Sequence, residues 1–350
     1  MFYQNISPLG FKLAPSGRYY GRKNKQRIKS KKPHRGDIMV KNKLGNTNLN
    51  VSRISFGASS LSSVFHAVEE KDATAAVHAA LEAGINYIDV APAYGGTRSE
   101  IVLGKALKGI DRSKYFLSTK IGKYTDPNQY GKDELDYSEK RTRQSLKESA
   151  ERIGTDYFDI IHIHDIEYQN RIHAEWALTE GLESLHKLKK EGQIGTVSFG
   201  IYPMDLWHKI FNDYEIDAAL VHNHYCLNDT SLLELLPKAK EKGIGIINAS
   251  PFASGLLTDR GPADWHPANV EERAIFANAA KICQEFSVSI SQLAMQFSSQ
   301  NLDIPTTMFS SSNAKSVLRN IEWSEEPINL ELLEMVQKAL KPVMNKQWDY

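Results

Sequence analysis

Asp89, Tyr94, Lys120 and His164 are polar residues set at, or just beyond, the ends of short apolar runs. Asp89 falls at the end of GINYID, Tyr94 follows in APAYGG, Lys120 closes YFLSTK and His164 closes YFDIIHIH. A lysine and a histidine are costly to bury without partners, so their placement where an apolar strand should end asks for a chemical reason. Moving a hydride between a carbonyl and an alcohol needs a group that gives or takes the alcohol proton. A tyrosine, with an ordinary pKa near 10, serves if an ammonium favours its phenolate. Lys120 is the ammonium, Asp89 holds it in place and charged, and His164 orients the carbonyl oxygen or shares in proton transfer. The set requires no metal, and it reads as an oxidoreductase site.

Taken singly, each residue has a plainer explanation. Asp89 suits a loop or helix cap, Tyr94 a partly buried aromatic, Lys120 a side chain snorkelling from a strand end, and His164 a satisfied structural histidine. Their joint placement is what favours a site.

The elements that must position them are legible as alternation. Strand-like runs SRISFG, NYIDV, YFLSTK, DIIHIH, TVSFG, AALVH, GIGIINA and a weaker DIPTTM alternate with longer amphipathic stretches such as KDATAAVHAALEAG and SEKRTRQSLKESAERIG. Gly84, Gly154 and Gly192 stand just past their helices, where a left-handed cap is wanted. Eight strand–helix units with nearly continuous apolar strands predict a single-domain α/β fold, a closed (β/α)8 TIM barrel. A doubly wound sheet should carry G-x-G-x-x-G after an early strand, and the chain has none. In a barrel, the carboxyl ends of the strands form the active site. Asp89, Lys120 and His164 are thereby predicted at the ends of the second, third and fourth strands, with Tyr94 in the loop beyond the second.

Histidine pairs offer a competing chemistry. His162/His164 and His222/His224 each have i, i+2 spacing near a strand end, the pattern of a metal-dependent barrel hydrolase. The first strand has no such pair and the last offers no evident aspartate ligand, so this is the weaker enzyme reading.

Composition bounds the rest. Residues 1–36 hold ten Lys/Arg and no acid, leaving 33 basic against 42 acidic residues in the remainder, which argues against nucleic acid as a partner. The domains expected are a basic, disordered extension over 1–38 and the barrel over 39–350; the alternative for the extension is a targeting segment or electrostatic arm. The two cysteines, Cys226 and Cys283, make no disulfide framework and fit a reducing, cytoplasmic setting. No run is long enough to span a membrane.

D-V-A-P-A-Y-G from Asp89, S-T-K to Lys120 and H-I-H-D-I-E to Glu167 resemble the aldo-keto reductases. The likeness runs from near Lys43 to at least Asn320. It is most specific to that family's aldose 1-dehydrogenase branch, through AYGGTRSEIVLGKAL and the segment from His224 to Ala268 that includes Trp265 and His266. The resemblance implies Tyr94 as proton acceptor and donor, tuned by Lys120 and Asp89, with His164 orienting the carbonyl. It further implies oxidation at C1 of an aldose of the L-galactose, L-fucose or D-arabinose type to the lactone, with hydride passed to NAD or NADP. The cofactor-binding residues it implies are Gly57, Ala58, His222, Ser250, Pro251, Gly255, Leu256, Ser310, Ser312, Ser316 and Asn320. Serines stand at 310, 312 and 316 where NADP-preferring members place a cation, so NAD is favoured, although Lys315 and Arg319 lie nearby. Gly200 and Ile201 replace a Ser-Asn pair, His222 a glutamine, Ala249 an aromatic residue and Arg319 a glutamate. These departures keep a non-catalytic nicotinamide-binding subunit as a further alternative. Partners are a small sugar or carbonyl substrate, with oligomeric state open.

Overall fold

The computed structural model describes residues 39–63, 67–125 and 133–348. The basic extension expected over residues 1–38 lies outside the described residues. A two-stranded antiparallel hairpin opens the described chain, β1 (Lys41–Lys43) with β2 (Asn50–Ser52). The eight predicted strand runs then appear in order. They are β3 (Ile54–Gly57), β4 (Tyr87–Asp89), β5 (Phe116–Ile121), β8 (Phe158–His164), β9 (Ile194–Ile201), β10 (Ala218–His222), β11 (Gly245–Ala249) and β12 (Thr306–Ser310). All pair in parallel and β12 closes back on β3, with Ser310 opposite Gly57. A second short hairpin, β6 (Lys123–Thr125) with β7 (Asp133–Leu135), stands beyond β5.

The outer helices form where the apolar stripe and the caps agree. Ser138 accepts from the backbone of Arg141 to start the helix Glu139–Ile153, and Gly154 ends it at φ +78°. Gly84 and Gly192 likewise take positive φ after their helices.

The lower end of the barrel is filled by the first hairpin. Leu44, Leu49 and Val51 pack with Tyr87, Ile160, Leu220, Ile247 and Met308 into one apolar cluster. The turn fits tightly: Gly45 has φ +55°, and any Cβ there would overlap the Gly243 carbonyl. With this end sealed by hydrocarbon, polar strand residues are left for the other end.

Gly122 links that packing to the upper end. Its φ of +97° turns the chain from β5 into β6, and a Cβ there would overlap the ring of Tyr137. Tyr137 is fully buried and donates to the backbone carbonyl of His164 at 2.9 Å. Gly122→Ala is expected to lower unfolding stability by about 2–3 kcal/mol, from left-handed strain and ring displacement together. Denaturant titration checks this; a loss under about 0.5 kcal/mol would contradict the packing argument.

Candidate active site

The four predicted residues meet on one wall of a cavity of about 2000 Å³ at the carboxyl ends of the strands. Ligand sites of about 300–1000 Å³ hold one small molecule, so this volume leaves room for a large cofactor and a substrate together. Lys120 Nζ lies 2.5 Å from Asp89 Oδ2 and donates to the Val90 carbonyl at 3.0 Å. Lys120 is 1% exposed and Asp89 2%. The ammonium stands 4.9 Å from the centroid of the Tyr94 ring, and the His164 ring meets Tyr94 edge-on at 5.9 Å.

The electrostatics follow from burial. Burial pulls the Lys120 pKa below its ordinary value, while the Asp89 carboxylate opposes that shift. Burial, and then the Asp89 charge, push Tyr94 well above the ordinary phenol value, so the resting group is a neutral phenol that holds a proton to give. His164 falls to about 3, chiefly through burial, with Asp165 opposing. Its imidazole is therefore neutral at working pH, and Nδ1 is buried without a hydrogen-bond partner.

Beside the four lies a polar cluster that the sequence analysis did not single out. Lys123 Nζ reaches Asp165 Oδ2 at 2.7 Å and covers the Tyr168 ring at 3.4 Å. Burial raises Asp165, but His164 and Lys123 outweigh it and hold the carboxyl below its ordinary value. Glu167 is pushed up to about 8 by burial and by Asp165, and one of its oxygens accepts from the Tyr202 backbone at 2.9 Å. The signal was present in H-D-I-E, read only as a likeness. Tyr202 stacks on His224 at 4.9 Å. Its hydroxyl accepts from the Trp348 backbone at 3.0 Å, bringing the C-terminal segment to the mouth. Trp348 also meets His266, which stacks on Trp265. Trp265 was flagged by the sequence; Trp348 had no local pattern to reveal it.

The residues proposed to hold the cofactor divide. Gly57, His222, Ser250, Pro251, Gly255, Ser310, Ser312, Ser316 and Asn320 line the cavity. Ala58 and Leu256 are buried off its wall. Ala58 is engaged through its backbone, whose N–H donates to the Asp89 backbone carbonyl and whose carbonyl accepts from the Ser99 hydroxyl. The Ser310 hydroxyl is engaged with Ser59 and Ser60. Two features fit a dinucleotide. Asn313 caps the N-terminus of the helix Ala314–Glu325, whose first turn faces the cavity through Ser316 and suits an anionic group. Asn320 is buried with an unpartnered Oδ1. Of the two nearby cations, Arg319 lines the cavity and Lys315 does not. The replacements Gly200, Ile201, His222 and Ala249 are also on the wall.

The histidine pairs do not assemble a metal centre. His162 bonds to Tyr87 and Ser198, while His224 bonds to Ser231 and the Tyr202 carbonyl. No group of three or more His, Cys, Asp or Glu able to hold a metal occurs among the described residues. Nor is any described helix long and apolar enough to cross a membrane.

The His164 shift has a consequence for stability. Its folded pKa lies below the unfolded value of about 6.5, so as pH falls below about 6.5 the unfolded chain takes the proton first. Stability is lost progressively from there down to about pH 3. His164→Gln should therefore lose about 2 kcal/mol less than the parent between pH 7 and pH 5. Denaturant unfolding at the two pH values checks this; parallel losses would mean that His164 is not held neutral.

Residues 53–341 match the profile of the Aldo/keto reductase family. The chain is 40% identical over 314 residues to L-galactose dehydrogenase of Arabidopsis thaliana, covering 87% of this chain and 95% of that protein. It is 30% identical to D-arabinose 1-dehydrogenase of Saccharomyces cerevisiae over 76% and 83% of the two chains. The holo form of an aldo-keto reductase from Bacillus halodurans superposes with a TM-score of 0.70 at 25% identity, over 89% of this chain and 98% of that one. The parallel barrel, the site at its mouth and these likenesses agree: the chain belongs to the aldo/keto reductase family and is an NAD(P)-dependent oxidoreductase.

Proposed function

We propose that the protein oxidises an aldose of the L-galactose, L-fucose or D-arabinose type at C1 to the lactone, with Tyr94 taking the C1 hydroxyl proton. The observation that carries this is the Tyr94 ring set close to both the Lys120 ammonium and the His164 imidazole, with Lys120 fixed by Asp89. Bound nicotinamide supplies the hydride acceptor. In the oxidative direction Tyr94 must first lose its proton, and the Lys120 charge favours that loss. The same residue returns the proton in reduction. His164, neutral, offers one N–H to the substrate oxygen and sets its direction. Trp265 and Trp348 give apolar faces for sugar C–H groups, and Asp165, Glu167 and Lys123 give a polar edge for hydroxyls. L-Galactose dehydrogenase and D-arabinose 1-dehydrogenase among the relatives support the substrate class.

NAD is the preferred cofactor in this reading. Ser310, Ser312 and Ser316 offer no cation to a 2′-phosphate, and Arg319 stands one turn further along the helix. Two free, buried cysteines support a reducing, cytoplasmic setting in this reading.

Two outcomes test the reading. Purified protein should reduce NAD with at least one of L-galactose, L-fucose and D-arabinose. Tyr94→Phe should lose at least about a hundredfold in kcat while binding cofactor as before. Full activity in that variant would favour a proton path without Tyr94, and no turnover by the parent despite cofactor binding would favour a non-catalytic subunit. For the cofactor, kcat/KM with NAD should exceed that with NADP by about tenfold or more, and Ser316→Arg should narrow the gap. A parent that prefers NADP would assign the phosphate to Arg319.

A further inference from the structure

We infer that His162 is a positioning residue of this site, the head of a one-way hydrogen-bond chain through Tyr87 and Ser118 to the Asp89 carboxylate. The inference rests on the reading that Asp89 and Lys120 serve Tyr94. His162, Tyr87 and Ser118 are fully buried inside the barrel, below the cavity wall. Ser118 Oγ lies 2.7 Å from Asp89 Oδ1, Tyr87 Oη 3.0 Å from Ser118 Oγ, and His162 Nε2 3.3 Å from Tyr87 Oη. At the far end, His162 Nδ1 is 2.8 Å from Ser198 Oγ.

The direction of the chain is dictated by the carboxylate. Paired with an ammonium, Asp89 only accepts, so Ser118 spends its single proton on Asp89. Tyr87 must then donate to Ser118, which leaves the Tyr87 oxygen able only to accept from His162 Nε2–H. His162 is kept neutral, mainly by burial and then by the Lys120 charge, so with the proton on Nε2 its Nδ1 is bare, and Ser198 must turn its single proton to Nδ1 at 2.8 Å and away from the Phe199 carbonyl at 3.2 Å. The same Nε2–H lies 3.5 Å from Asp89 Oδ1, where a bare nitrogen would set two acceptors face to face. The competing tautomer places the proton on Nδ1, toward the Phe199 carbonyl, and stops the chain at Tyr87. In the assigned direction every dipole points at Asp89 Oδ1 while Lys120 occupies Oδ2. The carboxylate is thereby held from both sides and the ammonium beside Tyr94 cannot wander.

The test uses the full chain, labelled with 15N-histidine. The His162 resonances, identified by their disappearance in His162→Gln, should show protonated Nε2 and bare Nδ1. The opposite tautomer overturns the inference. In kinetics, Tyr87→Phe removes one oxygen and should lower kcat about tenfold, with the KM for the nicotinamide unchanged. His162→Gln keeps an N–H donor near the Nε2 position and should stay within about threefold of the parent, whereas His162→Leu should fall about tenfold. Equal activity of the Gln and Leu variants would assign His162 to packing alone. If the parent oxidises no sugar, the proposed reaction has failed, and the tautomer still decides the direction of the chain.

Discussion

Lys120 carries a charge where water does not reach, and the upper half of the barrel is arranged around that fact. Taking an ammonium and a carboxylate out of water costs several kcal/mol for each ion, and only close geometry with further hydrogen bonds repays it. The geometry here is a 2.5 Å contact to Asp89, a second bond to the Val90 carbonyl, and Ser118 on the remaining Asp89 oxygen. Removing either ion would leave the other bare in a dry interior, so the pair stands or falls together. That fixes the Asp89 charge, which helps to raise Tyr94, and the Lys120 charge, which helps to lower His164.

The barrel separates its two ends by chemistry. The hairpin Lys41–Ser52 seals one end with Leu44, Leu49 and Val51, while polar strand residues collect at the other. Between them lies a layer of polar groups that do not line the cavity, Ser118, His162, Ser198 and the hydroxyl of Tyr87, whose ring packs in the apolar seal. Buried polar groups are tolerated when each is paired, and this layer satisfies its members by passing hydrogen bonds upward. The Gly122–Tyr137–His164 contact does similar work from the side, tying the backbone beneath the imidazole to a buried ring.

Much of this was legible in the sequence because it depends on local pattern. Eight apolar runs alternating with amphipathic stretches predict the parallel barrel, and polar residues at run ends predict Asp89, Lys120 and His164 at one mouth. What escaped depends on contacts between distant segments, or on which way a side chain points. The hairpins at Lys41–Ser52 and Lys123–Leu135 use strands of three residues, too short to show alternation. Trp348 reaches Tyr202 across 146 residues. Ala58 and Leu256 lie in the right stretches of chain but off the cavity wall, and the Ser310 hydroxyl is engaged with Ser59 and Ser60. His162 reads in the sequence only as half of a metal-binding pair; its partner Ser198 lies on the adjacent strand β9 and Tyr87 on β4, one strand beyond the adjacent β5, and only the folded barrel brings them together.

In the proposed reaction an aldose loses hydride from C1 to nicotinamide while Tyr94 takes the proton. The most direct measurement follows the hydrogen itself, using L-galactose carrying deuterium at C1 in single turnovers with NAD. Deuterium should appear on the reduced nicotinamide ring, lactone should form in equal amount, and the step should be slower than with ordinary sugar. Deuterium retained at C1 of the sugar, with nicotinamide left oxidised, would contradict it.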